Sequence, residues 1–155
     1  MVRKGIFCFA LMVVFASAAL TACFEPTKDT HPNQVLTKRN ALFKQFNRAL
    51  APMTLVANER SNYVKDEFLV YAQDLEKLST KPWAYFPADG NYPPTHARPV
   101  VWSRPAEFKD AQEKFQASVT QLVTAAHTGD LKQVQVAVYG VTTSCKACHR
   151  NFRFE

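Results

Sequence analysis

Apolar residues return at three- and four-residue steps through most of this chain, the spacing that gathers them on one face of a helix. Leu36, Phe43, Leu50 and Met53, with Leu42, Phe46 and Ala49 alongside, predict one amphipathic helix over residues 33–58. Pro52 sits near its end, where a kink is expected. Phe68, Ala72, Leu75 and Leu78 predict a second helix over residues 63–79, stopped before Pro82. A third begins near Ser103 as N-cap, with Pro105 tolerated in the first turn, and buries Phe108, Ala111, Phe115, Val119, Leu122 and Ala126. Gly129 suits its C-terminal cap, and Asp130 caps the next helix with Gln133 in the capping-box position. In that last helix Val134, Val138, Val141, Cys145, Cys148 and Phe152 advance by alternating steps of four and three, so the cysteines share a stripe with core valines.

Between the second and third helices the pattern stops. "PWAYFPADGNYPPTHARP", residues 82–99, concentrates prolines with an Asp-Gly pair, which breaks regular structure and predicts a long crossing loop joining distant elements. Trp83 and Trp102 flank it and are expected to anchor it onto the helices. No convincing strand alternation occurs. The fold class is therefore all-α, a four-helix bundle over residues 33–155 with the long loop between helices 2 and 3.

The first 22 residues belong to a different object. "MVRKGIFCFALMVVFASAALTAC" has Arg3 and Lys4 at its start, an apolar run from Ile6 to Phe15 and then small residues, the layout of a secretory signal and too short for a good membrane span. Leu20-Thr21-Ala22-Cys23 resembles a bacterial lipobox, which implies cleavage before Cys23 and lipidation of its thiol; ordinary cleavage near Ala18 to Ala22 is the alternative. Residues 1–22 then form a lipoprotein signal peptide and residues 23–32 a short flexible tether. Phe24 after the cysteine favours, by resemblance to known sorting rules, a periplasm-facing position on the outer membrane. Losing the signal lowers the formal charge of +6 by two, to +4. Lys and Arg are interspersed with Asp and Glu, which argues for a solvated surface and against nucleic-acid binding.

Cys8 leaves with the signal and Cys23 takes lipid, so Cys145 and Cys148 are the thiols left in the exported domain. Cys145-Lys146-Ala147-Cys148-His149 meets the needs of covalent haem attachment: two thiols one helical step apart to add across two vinyl groups, and an adjacent histidine to ligate iron. A thioredoxin-like pair would open a helix after a strand, and a structural zinc would want four closed ligands. His31, His96 and His127 sit instead on the tether, the loop and a helix end. The reading is one covalently attached haem c, with His149 as axial ligand.

"RNALF" in the first helix, "KPWAYFP" in the loop, "ARPVVWSRPAEF" leading into the third helix and "CKACHRNFR" at the end together resemble the cytochromes c′, the class II c-type cytochromes whose haem motif closes a four-helix bundle. The resemblance covers nearly all of the chain beyond the tether and implies up-down-up-down order. It also implies that Arg153 lies beside the proximal face, and that the residue four after the first-helix arginine faces the iron. That arginine is Arg39 and that residue Phe43; a methionine there would be a sixth ligand, whereas Phe43 has no lone pair to give. Arg39 either holds a haem propionate or lies on the helix surface, and Met53 packs in the core. The function implied is binding of nitric oxide and carbon monoxide at a five-coordinate iron, in nitric oxide tolerance or carriage. The alternative is a small periplasmic electron carrier with a redox partner the sequence does not name. The resemblance also implies a possible homodimer, since family members often pair through the first two helices. No catalytic acid, base or nucleophile can be placed near the distal face, so no enzymatic turnover is expected; His96, in the loop, is the one side chain to check.

Overall fold

Four long helices form where the apolar spacing places them, α1 (Val35–Ala57), α2 (Lys65–Leu78), α4 (Pro105–Thr128) and α5 (Leu131–Phe152), with a single turn α3 (Val100–Ser103) leading into α4. The structure is a computed structural model that describes residues 28–155; the proposed signal and Cys23 lie outside the described residues. Among the described residues the backbone is helical or irregular, apart from one isolated antiparallel bridge between Ala97 and Arg153. None of the described helices is long and apolar enough to cross a membrane.

α1 packs on α2 and α5, α2 on α4, and α4 on α5, a square whose α1–α2 and α4–α5 links are short and whose α2–α4 link is long. Met53, Leu75, Val119, Leu122, Val134 and Val141 meet at its centre with essentially no exposure. Each such burial stabilises the fold by roughly 1.5–3 kcal/mol relative to an exposed side chain. α1 runs on through Pro52 to Ala57.

The caps follow the local chemistry in part. Gly129 takes φ 76° at the end of α4, a left-handed conformation that a Cβ disfavours. Asp130 Oδ1 accepts from Lys132 N at 2.8 Å and Gln133 N at 3.2 Å, opening α5. The Gln133 side chain returns to the Asp130 carboxylate at 3.3 Å, not to its backbone amide as a capping box would. Ser103 is not the cap of the third long helix: it ends α3, and Arg104, with no side-chain capping bond, precedes Pro105. The reason is that Val101 buries itself and winds residues 100–103 into a turn of their own.

The loop from residue 79 to residue 99 also differs from expectation. α2 and α4 are direct neighbours, so the loop does not join distant elements; its length folds over one end of the bundle. Trp83 Nε1 donates to Ser79 O at 2.8 Å, and Trp102 Nε1 to Pro87 O at 2.6 Å, so each tryptophan closes one part of that cover. Residues 29–31, expected within a flexible tether, are hydrogen-bonded to α1 and to this loop.

Candidate functional site

The covered end of the bundle is where α1 begins and α5 finishes, and the cysteine motif occupies the last two turns of α5. Cys145 is half-buried against the main core, whereas Cys148 is half-buried against a second cluster of Ala97, Val101, Phe108 and Phe152. Trp83 packs on both clusters and so lies where they meet. Phe43 meets it edge-on at 6.0 Å, and Phe108 also does so at 6.0 Å. The surface beside the two sulfurs is thus aromatic and apolar. Surface grooves along α1–α2 and α4–α5 involve neither thiol nor His149.

Burial pushes both thiols up, Cys148 to about 11 with the Cys145 charge adding to the effect. They are therefore neutral S–H groups at neutral pH. A thiol–disulfide couple works through a stabilised thiolate, which this site does not provide. Among the described residues no three His, Cys, Asp or Glu side chains converge to hold a metal, so the zinc reading has no ligand set. His149 lies on the exposed side of α5, yet the protein packed around its ring pushes its pKa down, and the Arg153 charge acts in the same direction.

Phe43 is half-buried, edge-on to Phe46 at 5.4 Å, and Phe46 stacks on Phe115 at 5.3 Å. It is both part of the core and the aromatic residue of α1 nearest the loop tryptophan. Met53 is fully buried within the core.

Arg39, one turn before Phe43, is not on the helix surface: it is 4% exposed. Its guanidinium lies 4.2 Å over the Phe86 ring, donates to Thr95 Oγ1 at 2.8 Å and reaches Tyr85 O at 3.5 Å. Among the described residues no carboxylate pairs with it. Burial lowers its pKa, while the Tyr92 and Asp29 charges oppose that shift. A buried cation held by neutral acceptors alone is costly, and an added anion would relieve it. Two neutral thiols, an adjacent imidazole, nearby aromatic side chains and an unpaired buried guanidinium together fit a covalently held haem, with Arg39 the residue that would pair with its carboxylates.

Arg98 is a residue the sequence reading missed. Its Nη1 donates to the carbonyls of Arg150 and Asn151 at 3.2 and 3.3 Å, closing the C-terminus of α5 directly beyond the motif. The strands of chain on either side are zipped together by Arg98 N to Phe152 O at 2.9 Å and Phe154 N to His96 O at 2.8 Å. Arg153 is exposed, and its amide donates to His149 O at 3.0 Å. His96 is exposed and enters this arrangement through its backbone carbonyl. A basic residue near a helix end was the available signal for Arg98, but nothing in the sequence paired it with a helix 50 residues away.

A family model described as Cytochrome C′ matches residues 34–153. A cytochrome c′ of Alcaligenes xylosoxydans is 38% identical over 103 residues, covering 65% of this chain and 78% of its own length. One from Rubrivivax gelatinosus is 30% identical over 125 residues, covering 79% and 95%. Among solved structures, a nitric oxide complex of a variant cytochrome c prime from Alcaligenes xylosoxidans superposes with a TM-score of 0.76 at 30% identity, covering 83% of this chain and 99% of that one. A carbon monoxide-bound variant of the same protein also gives 0.76 at 30% identity, covering 83% and 100%. Motif, bundle and comparisons agree: the chain belongs to the cytochrome c′ family, whose cofactor is covalently attached haem c.

Proposed function

We propose that this is a gas-binding haem c protein that takes nitric oxide and carbon monoxide at an open iron position and serves nitric oxide tolerance or carriage. The observation that carries the reading is Phe43. It packs edge-on against Trp83, at the position where the family resemblance places a methionine ligand in low-spin members, and it has no atom that can ligate iron. Variants of one related protein, solved with nitric oxide and with carbon monoxide, support it.

The chain's own groups take these roles. Cys145 and Cys148 would hold the haem through two thioethers, each S–H adding across one vinyl double bond with no leaving group and no oxidant needed. His149, whose pKa is pushed down, would offer a neutral imidazole nitrogen to the iron. Phe43 would crowd the gas-binding side of the haem and keep water and larger molecules from it, and its ring has no hydrogen bond to offer a polar bound oxygen. Arg39 pairs with a propionate carboxylate, and Arg153 lies beside His149. The haem itself supplies the iron that binds the gas.

Export and lipidation at Cys23 belong to the same reading, supported by Arg3, Lys4, the apolar run and the Leu20–Cys23 pattern. They put the bundle in the periplasm on the outer membrane. Exposed Leu55, Val70 and Tyr71 support pairing of two copies through α1 and α2.

An optical spectrum of the purified protein tests the function. Haem c with high-spin iron that binds carbon monoxide on reduction is expected, and the double Cys145→Ser, Cys148→Ser chain should release its haem to acidified organic solvent. A six-coordinate low-spin spectrum that carbon monoxide leaves unchanged would overturn gas binding in favour of the electron carrier.

A further inference from the structure

The segment ahead of α1 is bonded to the loop that covers the site. Asp29 Oδ1 accepts from Tyr92 Oη at 2.6 Å and from His31 N at 3.2 Å, while Oδ2 accepts from Thr37 N at 2.8 Å. One carboxylate thus joins the incoming chain, the first turn of α1 and the covering loop. His31 adds a second link: its ring stacks on Tyr92 at 5.6 Å, and Nε2 lies 3.2 Å from Asp89 Oδ2.

The part of the loop so held is the part that holds Arg39. Thr95 N donates to Tyr92 O at 2.9 Å, closing a turn whose two ends face different partners. Tyr92 points to Asp29, and Thr95 Oγ1 accepts the 2.8 Å bond from Arg39. Tyr85, whose carbonyl Arg39 also reaches, lies in the same cover. The connection runs from Asp29 through Tyr92 and Thr95 to the guanidinium. In charge terms, Asp29 opposes the effect of burial on Arg39 without touching it.

We propose that residues 29–31 are a strap that fixes the covering loop, and that Asp29 and Tyr92 are positioning residues setting where the Arg39 guanidinium stands against the haem's carboxylate edge. The haem part of this inference rests on the role proposed above for Arg39; the strap itself does not. With Asp29 and Tyr92 in place, Arg39 is shared between the loop, the negative field of Asp29 and an incoming propionate. Neutralising Asp29 removes a negative charge near the site and leaves Arg39 more fully to the propionate. Both effects disfavour the more positive ferric state, so the reduction potential rises.

The test uses the holoprotein and its Asp29→Asn, Tyr92→Phe and double variants, with Asp74→Asn as control. Asp74 is an exposed α2 carboxylate paired with Lys77 at 3.2 Å. Amide hydrogen exchange over residues 85–95 should quicken about tenfold in each single variant, as loss of one charge-assisted bond implies, and the double variant should add little because both remove the same contact. The midpoint potential should rise in Asp29→Asn beyond any rise in Asp74→Asn. Faster exchange confined to residues 28–34 would overturn the strap. A potential change no larger than that of Asp74→Asn would overturn the positioning of Arg39. A chain that purifies without haem would defeat the functional reading, while the exchange measurement would still decide the strap.

Discussion

On the proposed reading Phe43 decides which chemistry this site performs, because one side chain would separate an open coordination position from a closed one. Its ring is held edge-on by Phe46 and Trp83, so it cannot swing away without disturbing core packing. Phe43→Ala is expected to speed carbon monoxide association by about tenfold or more, equivalent to ~1.4 kcal/mol off the barrier, in flash-photolysis rebinding. Phe43→Met should shift the resting spectrum towards six-coordinate and low-spin and slow the same reaction. Association unchanged in Phe43→Ala would assign the crowding to another residue. Asp29 carries a second residue-scale expectation. Burial would raise its carboxyl, but bonds from Tyr92, Thr37 and His31 outweigh that and hold it well below the usual 3.8. A depressed carboxyl contributes stability that is complete above the unfolded value and is lost as pH falls through the folded one. Urea unfolding of the wild type should therefore lose stability more steeply below about pH 4 than that of Asp29→Asn, which has nothing to titrate there. Equal slopes would remove Asp29 from the acid response.

At the scale of elements, the two glycines of the α4–α5 hairpin should respond to alanine with opposite signs. Gly129 has φ 76°, and a Cβ there would also meet the Lys65 side chain at 3.1 Å, so Gly129→Ala should destabilise by about 1–2 kcal/mol. Gly140 lies inside α5 with nothing within 4 Å of an added Cβ, so Gly140→Ala should stabilise by about 0.5–1 kcal/mol. Denaturant midpoints at unchanged slope measure both. The helices themselves were legible in the sequence, since a 3.6-residue period survives whatever the partners are: α1, α2 and the α4–α5 caps lie within two residues of their predicted places. The ends governed by long-range contacts were not. Ser103 has every local mark of an N-cap and loses the role because Val101 finds a buried place in the second cluster. Cys145, Cys148 and His149 stand out in the sequence because the motif they form is local. Arg39's burial, the Arg98 closure of α5 and the Asp29–Tyr92 bond were not legible there, because each depends on how the loop lies.

For the molecule as a whole, the strap has a geometric consequence if Cys23 carries lipid. Asp29 follows Cys23 by six residues, a stretch that reaches at most about 22 Å when fully extended. α1, at 23 residues, is about 34 Å long. Asp29 is bonded to the loop at the end where α1 begins, so the anchor is held to the end that carries the haem motif, and the Gly129 turn lies at the far end. A bundle tethered from a free tail could tumble; one tethered through a bonded strap presents its covered end to the bilayer. Spin labels at Ala88→Cys, in the covering loop, and at Ser61→Cys, in the turn between α1 and α2, distinguish the two on the lipidated protein in vesicles bearing nickel-chelating headgroups. Both positions are exposed. The label at position 88 should relax faster than the one at 61, and Asp29→Ala should reduce the difference. Equal relaxation at the two positions would show free tumbling, and faster relaxation at 61 would reverse the orientation. The expected order would bring a gas diffusing out of the membrane, where nitric oxide is more soluble than in water, first to the end that carries Phe43 and His149.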